Sequence, residues 1–203
     1  MLRLIHLNEK ELDLLFKEDL SENKDQEIAR DVFLVGCYLA QRYSDYSRVK
    51  SHHLQETSKG GKVINLTQLK TGIKVSIPVR YELDFILSKY NYNLPKTHEQ
   101  GLNKSIKDIG KLVEIDELVD IEMVRGGLKI KKTVPKYDLI KTHTARRSGA
   151  TNMYLAGIPT LENMKITGHT SEVNLLKYIK ASTEETAIKL SSHPYFNAKM
   201  KVS

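Results

Sequence analysis

Two histidines, two adjacent arginines and, near its end, the tyrosine Tyr178 fall in one stretch, THTARRSGATNMYLAGIPTLENMKITGHTSEVNLLKYIK, between Thr142 and Lys180. These residue types hold and attack a negatively charged group. His143 and Arg146, three apart at a helix start, project from one side of the helix. The free N–H groups and positive dipole end of such a turn also suit an anion. On its own this HxxR pattern is more often an ordinary basic surface turn. His169 follows Gly168 at a helix junction, where a histidine commonly caps a helix end. Tyr178 comes nine residues later. Helical tyrosines are usually core residues, but Leu175, Leu176 and Ile179 can fill that role here and free Tyr178 to point elsewhere.

Further candidates stand upstream. Arg42 follows an apolar helix and has Asp45 three residues on, which allows an ion pair, a guanidinium oriented toward a ligand, or both. Lys70 sits on a tight turn, where a solvated lysine is the ordinary reading. His52-His53 lacks a Cys or carboxylate cluster at ligand spacing, so it is assigned to the surface and no metal site is expected. The sequence contains no P-loop, GxSxG or HExxH motif.

The elements that position these residues can be read from period and punctuation. A short amphipathic helix is expected over 8–20 with Asn8 as N-cap. The apolar run from Glu27 to Tyr43 predicts a buried helix holding Cys37 as a small core residue. KVINLTQL and GIKVSIPV, joined at KTG, predict a hairpin that carries Lys70 at its turn. Helices are expected over 80–90 and 103–113, and a second hairpin around Gly126-Gly127. The opening stretch reads as three helices: Thr144 to Ala156, one N-capped by Thr160 and stopped by Gly168, and Ser171 to Ile179. A helix from Ser182 with a break at Pro194 follows. The fold class is mainly α with small antiparallel β-hairpins, in one domain over 1–203.

The charge balance, 32 Lys+Arg against 25 Asp+Glu for a formal +7, favours an anionic partner: nucleic acid, a phosphorylated ligand or an acidic membrane surface. With one cysteine no intrachain disulfide can form, which suits a reducing compartment. The N-terminus breaks a signal-peptide pattern with acidic residues, and no window reaches the ~18 apolar residues of a membrane span. A cytoplasmic protein is expected.

Taken together, the arginine in AQRYSDYSRVK, the hairpin lysine in QLKTGIKVSIP, and then HTAR, GH and a tyrosine resemble the catalytic domain of the tyrosine recombinase (phage integrase) family. Each element is weak alone, but five in order are specific. His143 and Arg146, then 23 residues to His169 and nine to Tyr178, match the family spacing. The flanks TVPKYDLIKTHTARRSGATNMYLAGIP and MKITGHTSEVNLLKYIKAS resemble integrases of Bacteroides-type mobile elements. The resemblance runs from about Leu7 to Ala187. Full-length members carry a helical core-binding domain, often with an arm-binding domain before it. Met1 stands just ahead of the catalytic domain, so a fragment lacking both is expected.

The resemblance implies site-specific recombination or integration of double-stranded DNA without a cofactor, through a 3′-phosphotyrosyl intermediate formed by Tyr178. A phenol has a pKa of ~10, so a base is wanted, and His143 is the candidate. Arg42 and Arg146 would clamp the non-bridging oxygens and His169 would donate a further hydrogen bond. Lys70 would protonate the leaving 5′-oxygen. Asp45 would orient Arg42 or His143, and Arg147 would contact DNA backbone or simply face solvent. The partner implied is DNA, with a free monomer and a tetramer on recombining DNA, in a bacterial, nucleoid-associated setting. The tail over 182–203 would pack on a neighbouring protomer, pack in cis or fray. The alternatives are a non-catalytic DNA-binding module of the same fold and a type IB topoisomerase-like enzyme.

Overall fold

The computed structural model describes residues 4–125 and 128–197, without the side chains of 123–125 and 128–129. Helix α1 (Glu9–Lys17) begins where Asn8 and Glu11 form a reciprocal capping box, and it buries Leu12 and Leu15. Helix α2 (Lys24–Leu39) is the centre of the molecule. Val32, Phe33, Leu34 and Val35 are all buried, so it is covered on every side rather than along one stripe. Cys37 is packed inside it.

The apolar pattern predicted that this helix would run to Tyr43, yet it stops at Leu39. Ala40 takes the left-handed conformation (φ 53°, ψ 33°) and the Gln41 side chain caps the Leu39 carbonyl. Arg42 thus leaves the helix axis and becomes the residue before a four-residue helix, α3 (Tyr43–Tyr46).

A three-stranded antiparallel sheet follows, in the order β1 (Leu54–Glu56), β2 (Lys62–Thr67), β3 (Lys74–Pro78). Ile64, Leu66, Val75 and Ile77 point to the core while Lys74 and Ser76 face out. The β2–β3 hairpin is as expected. β1, three residues long, is too short to show a period. Helix α4 (Tyr81–Lys89) packs on α2. Helix α5 (Glu99–Leu112) starts four residues before Asn103, because Leu102 belongs to its apolar face with Ile106 and Ile109. Strands β4 (Leu118–Arg125) and β5 (Leu128–Pro135) pair antiparallel as a long two-stranded ribbon. The Gly126-Gly127 turn expected between them lies outside the described residues.

Helix α6 (Thr142–Leu155) lies against α2 so closely that a Cβ on Gly149 would stand 2.3 Å from the Cys37 carbonyl oxygen. Helix α7 (Thr160–Thr167) has Pro159, not Thr160, as its N-cap, and Thr160 is its first helical residue. Helix α8 (Glu172–Leu176) is shorter than expected and ends before Tyr178. Helix α9 (Thr183–Ser191) opens with a Ser182–Glu185 capping box. Pro194 does not merely break the chain; it begins α10 (Pro194–Asn197). Among the described residues no helix is long and apolar enough to cross a membrane.

Candidate active site

The site is built around Arg146, which is fully buried in the second turn of α6. Its Nη1 donates to the Ala40 carbonyl at 3.3 Å, and its Nη2 lies 3.2 Å from His169 Nε2. Its Nε meets no acceptor among the described residues. Burial, then the charge of Arg42, pushes this guanidinium down to about 10, which still leaves it charged at neutral pH. A buried arginine left short of acceptors beside a second arginine is costly unless an anion is meant to join it.

His169 owes its position to Gly168, which ends α7 with φ 70°. Its protonation follows from its neighbours. Arg146 can only donate, so Nε2 must accept. The other ring nitrogen, Nδ1, lies 2.7 Å from Thr167 Oγ1, whose hydroxyl donates to the Asn163 carbonyl at 2.7 Å. Nδ1 therefore carries the proton and His169 is neutral. Burial, then the charges of Arg146 and Arg42, lowers it to about 4.

Tyr178 lies between the two histidines, its ring centroid 4.8 Å from that of His169 and 5.4 Å from that of His143. The Arg146 guanidinium carbon is 5.4 Å from the same centroid. The backbone here has left α8 because Thr151 competes for it. The Thr151 hydroxyl accepts from the Lys180 N–H at 3.0 Å and donates to the Tyr178 carbonyl at 3.4 Å. His143, at the surface of the first turn of α6, has its pKa lowered by desolvation and then by Arg147, Arg146 and Arg42, with Glu99 opposing. Neutral at pH 7, it is suited to accept a proton.

Arg42 is half-buried, and its one hydrogen bond among the described residues runs from Nη1 to Gln68 Oε1 at 3.4 Å. Asp45 is hydrogen-bonded to neither Arg42 nor His143, the partners expected of it. Its Oδ1 accepts the Leu69 N–H at 2.8 Å, with Arg48 at 4.0 Å, so it anchors the base of the β2–β3 turn. Lys70 is exposed on that turn and makes no hydrogen bond or ion pair among the described residues. Five of the six expected side chains thus gather around α6, and the sixth projects from a turn tied to them. A cleft of about 640 Å³ opens beside His169, with Lys74 and Lys165 on its walls.

Arg147 does not face outward as expected. It is 6% exposed, and it donates to the Ile5 carbonyl at 2.9 Å and to Thr144 Oγ1 at 3.2 Å, binding the N-terminal segment to α6. Arg147→Met should therefore destabilise the fold by about 1.5–3 kcal/mol, and denaturant melts check this; an unchanged melt would mean that these bonds do not hold the N-terminal segment.

The histidine shifts predict an acid-labile fold. His169, His143, His6 and His53 all have folded pKa values below the ordinary one, chiefly through desolvation. The unfolded chain then binds more protons, so stability is complete above about pH 6.5 and is lost as pH falls toward 4. Melting temperature against pH should show this, with a shallower slope in His169→Gln.

Several residues of this site have no signature in the sequence: Gln41, Gln68, Thr151 and Thr167. All are buried and neutral, and only the register of Gln68 immediately before the Leu69–Thr71 turn hints at a role.

No family model matches the chain, and no curated protein does. Among solved structures, the chain is similar to the XerA recombinase, with a TM-score of 0.65 and 16% identity over 93% of this chain and 65% of that one. It is also similar to the XerH site-specific recombinase in a post-cleavage complex with a palindromic difH substrate, at 0.62 and 15% over 93% and 53%. The catalytic domain of the bacteriophage HP1 integrase matches at 0.57 and 20%, over 97% of this chain and 100% of that domain. The fold is that of tyrosine recombinase catalytic domains. The chain spans about half to two-thirds of the XerH and XerA chains.

Proposed function

We propose that this chain is the catalytic domain of a site-specific tyrosine recombinase acting on double-stranded DNA. The observation that carries the reading is the fully buried Arg146, short of an acceptor and covered by the ring of a tyrosine flanked by two neutral histidines. The Tyr178 oxygen forms a bond to phosphorus, and the bond from phosphorus to the 5′-oxygen breaks. The phenol proton passes to His143 and the leaving oxygen takes one from Lys70. Arg42 and Arg146 hold the non-bridging oxygens. Rejoining is the reverse, with a partner strand's hydroxyl as nucleophile.

Four adjustments follow from the geometry. Tyr178 covers Arg146, so its ring must move aside for a phosphate to reach the guanidinium. His169 Nε2 accepts from Arg146, so it can donate to the phosphate only after the phosphate charge raises its proton affinity. Asp45 acts through the Leu69 N–H on the hairpin that carries Lys70. Arg147 serves the fold rather than the DNA.

The flanks resembling integrases of Bacteroides-type mobile elements favour integration or excision of such an element, in a bacterial cytoplasm. A tetramer on DNA would form as the lambda integrase tetramer does on its Holliday junction. Helix α9 lies against α6, with Lys189 Nζ 2.5 Å from the Tyr154 carbonyl, and exchange of this segment between protomers would accompany assembly.

The test is covalent capture. Wild-type protein is mixed with a random-sequence pool of nicked suicide duplexes, and adducts are mapped by mass spectrometry. Phosphate on Tyr178 is expected. Its appearance on another residue, or no adduct from any duplex, overturns the reading. Efficient relaxation of a plasmid lacking captured sequences would favour the topoisomerase reading.

A further inference from the structure

Gln41 and Gln68 form a buried amide pair at the meeting point of the α2 end, the β2–β3 hairpin and the α7–α8 junction. Gln68 Nε2 donates to Gln41 Oε1 at 2.6 Å and to the Thr167 carbonyl at 2.9 Å. Gln68 Oε1 accepts from Thr71 Oγ1 at 2.7 Å and from Arg42 Nη1 at 3.4 Å. Gln41 Nε2 is fixed in turn by the carbonyls of Leu39 and Ile166. The Gln68 backbone closes the hairpin turn: its N–H donates to the Ile73 carbonyl and its carbonyl accepts from the Gly72 N–H.

A primary amide is required at this place. A carboxylate would have no donor for the two oxygens facing Nε2, and an apolar residue would leave the buried Gln41 Oε1 and Thr167 carbonyl without this donor. The junction is built around the amide as well, since a Cβ on Gly168 would come within 2.5 Å of Gln68 Nε2. One side chain thus touches Arg42, the turn beside Lys70 and the strand of backbone that delivers His169.

We infer that Gln68 is a positioning residue for the transesterification, setting Arg42 in register with the lysine hairpin and with the His169 junction. The inference rests on the recombinase reading. The long contact to Oε1 steadies Nη1 and leaves the rest of the Arg42 fork available to a phosphate.

A double-mutant cycle tests it, using single-turnover adduct formation on a suicide duplex captured by wild-type protein. Gln68→Leu should slow adduct formation about 30-fold in the wild-type background and less than about threefold on Arg42→Ala, because the two act through one contact. Equal losses in both backgrounds would overturn the inference and leave Gln68 as scaffold only, as would no loss at all in wild type. Should Gln68→Leu fail to fold, Thr71→Val and Thr71→Ser on the exposed turn replace it. The valine should slow the step about fivefold and the serine should restore it; an unaffected valine variant overturns the inference. If Arg42→Ala by itself leaves the rate unchanged, the recombinase reading of the site is what has failed.

Discussion

On the recombinase reading, Tyr178→Phe should abolish the protein–DNA adduct and leave the fold in place. The change removes one oxygen and keeps the ring that packs between His143 and His169 and over Arg146. The segment is held through its backbone, by Thr151 and the turn from the Tyr178 N–H to the Leu175 carbonyl at 2.7 Å. Stability should therefore change by no more than about 0.5 kcal/mol. Affinity for duplex DNA should be nearly that of wild type, because the phosphate-binding groups are untouched. A denaturing gel of the suicide-duplex reaction reads the adduct, and a thermal melt reads the fold. An adduct that persists in the phenylalanine variant places the nucleophile elsewhere.

Arg146→Ala should slow adduct formation by about 10³-fold, the scale seen when one charge-stabilising donor is removed from a transition state. The effect is large because Arg146 has no water to replace it: the side chain is fully buried. The alanine variant also leaves the Ala40 carbonyl and His169 Nε2 without their donor and opens a cavity, so a loss of several kcal/mol of stability is expected. Arg146→Lys separates the two effects. It keeps a positive charge and much of the volume, but a single ammonium cannot reach both Ala40 O and His169 as the planar fork does. It should recover stability more fully than rate. Single-turnover kinetics at saturating DNA, beside anisotropy-based affinity, distinguishes this from a loss of binding. Equal decreases in rate and affinity would make Arg146 a DNA-holding residue instead.

The charged and aromatic residues of the site were legible because their types are rare in combination and their order along the chain is specific. HTAR, GH and the tyrosine could be aligned by spacing, and their elements were announced by Gly157, Pro159 and Gly168. What joins them was not legible. Gln68, Gln41 and Thr167 meet across separations of up to 125 residues, for example Gln41 to Ile166, and neutral polar residues leave neither a period nor a charge pattern. Arg147 belongs by charge with the basic residues expected to meet DNA backbone or solvent, but adjacent helical positions point in different directions, so Arg146 faces the site while Arg147 faces the N-terminal segment. Asp45 was paired by proximity in sequence with Arg42, but the turn at Ala40 redirected the chain. The end of α8 was overestimated because Thr151, 27 residues before Tyr178, takes backbone bonds that a helix would otherwise have used.

Ala40 is an alanine in a conformation that glycine adopts more easily. Glycine would relax the backbone there, yet the methyl group fills the space left open by Gly149, a Cβ on which would come 2.7 Å from it. The carbonyl of the same residue receives Arg146, and two residues later comes Arg42. The backbone positions of Arg42 and Arg146 are therefore set by two helices and one backbone torsion, and the Arg42 fork is steadied above them by Gln68. On the recombinase reading, the backbone order of a two-armed anion receptor is established on folding, and that part of the entropy is not lost again at each encounter with DNA.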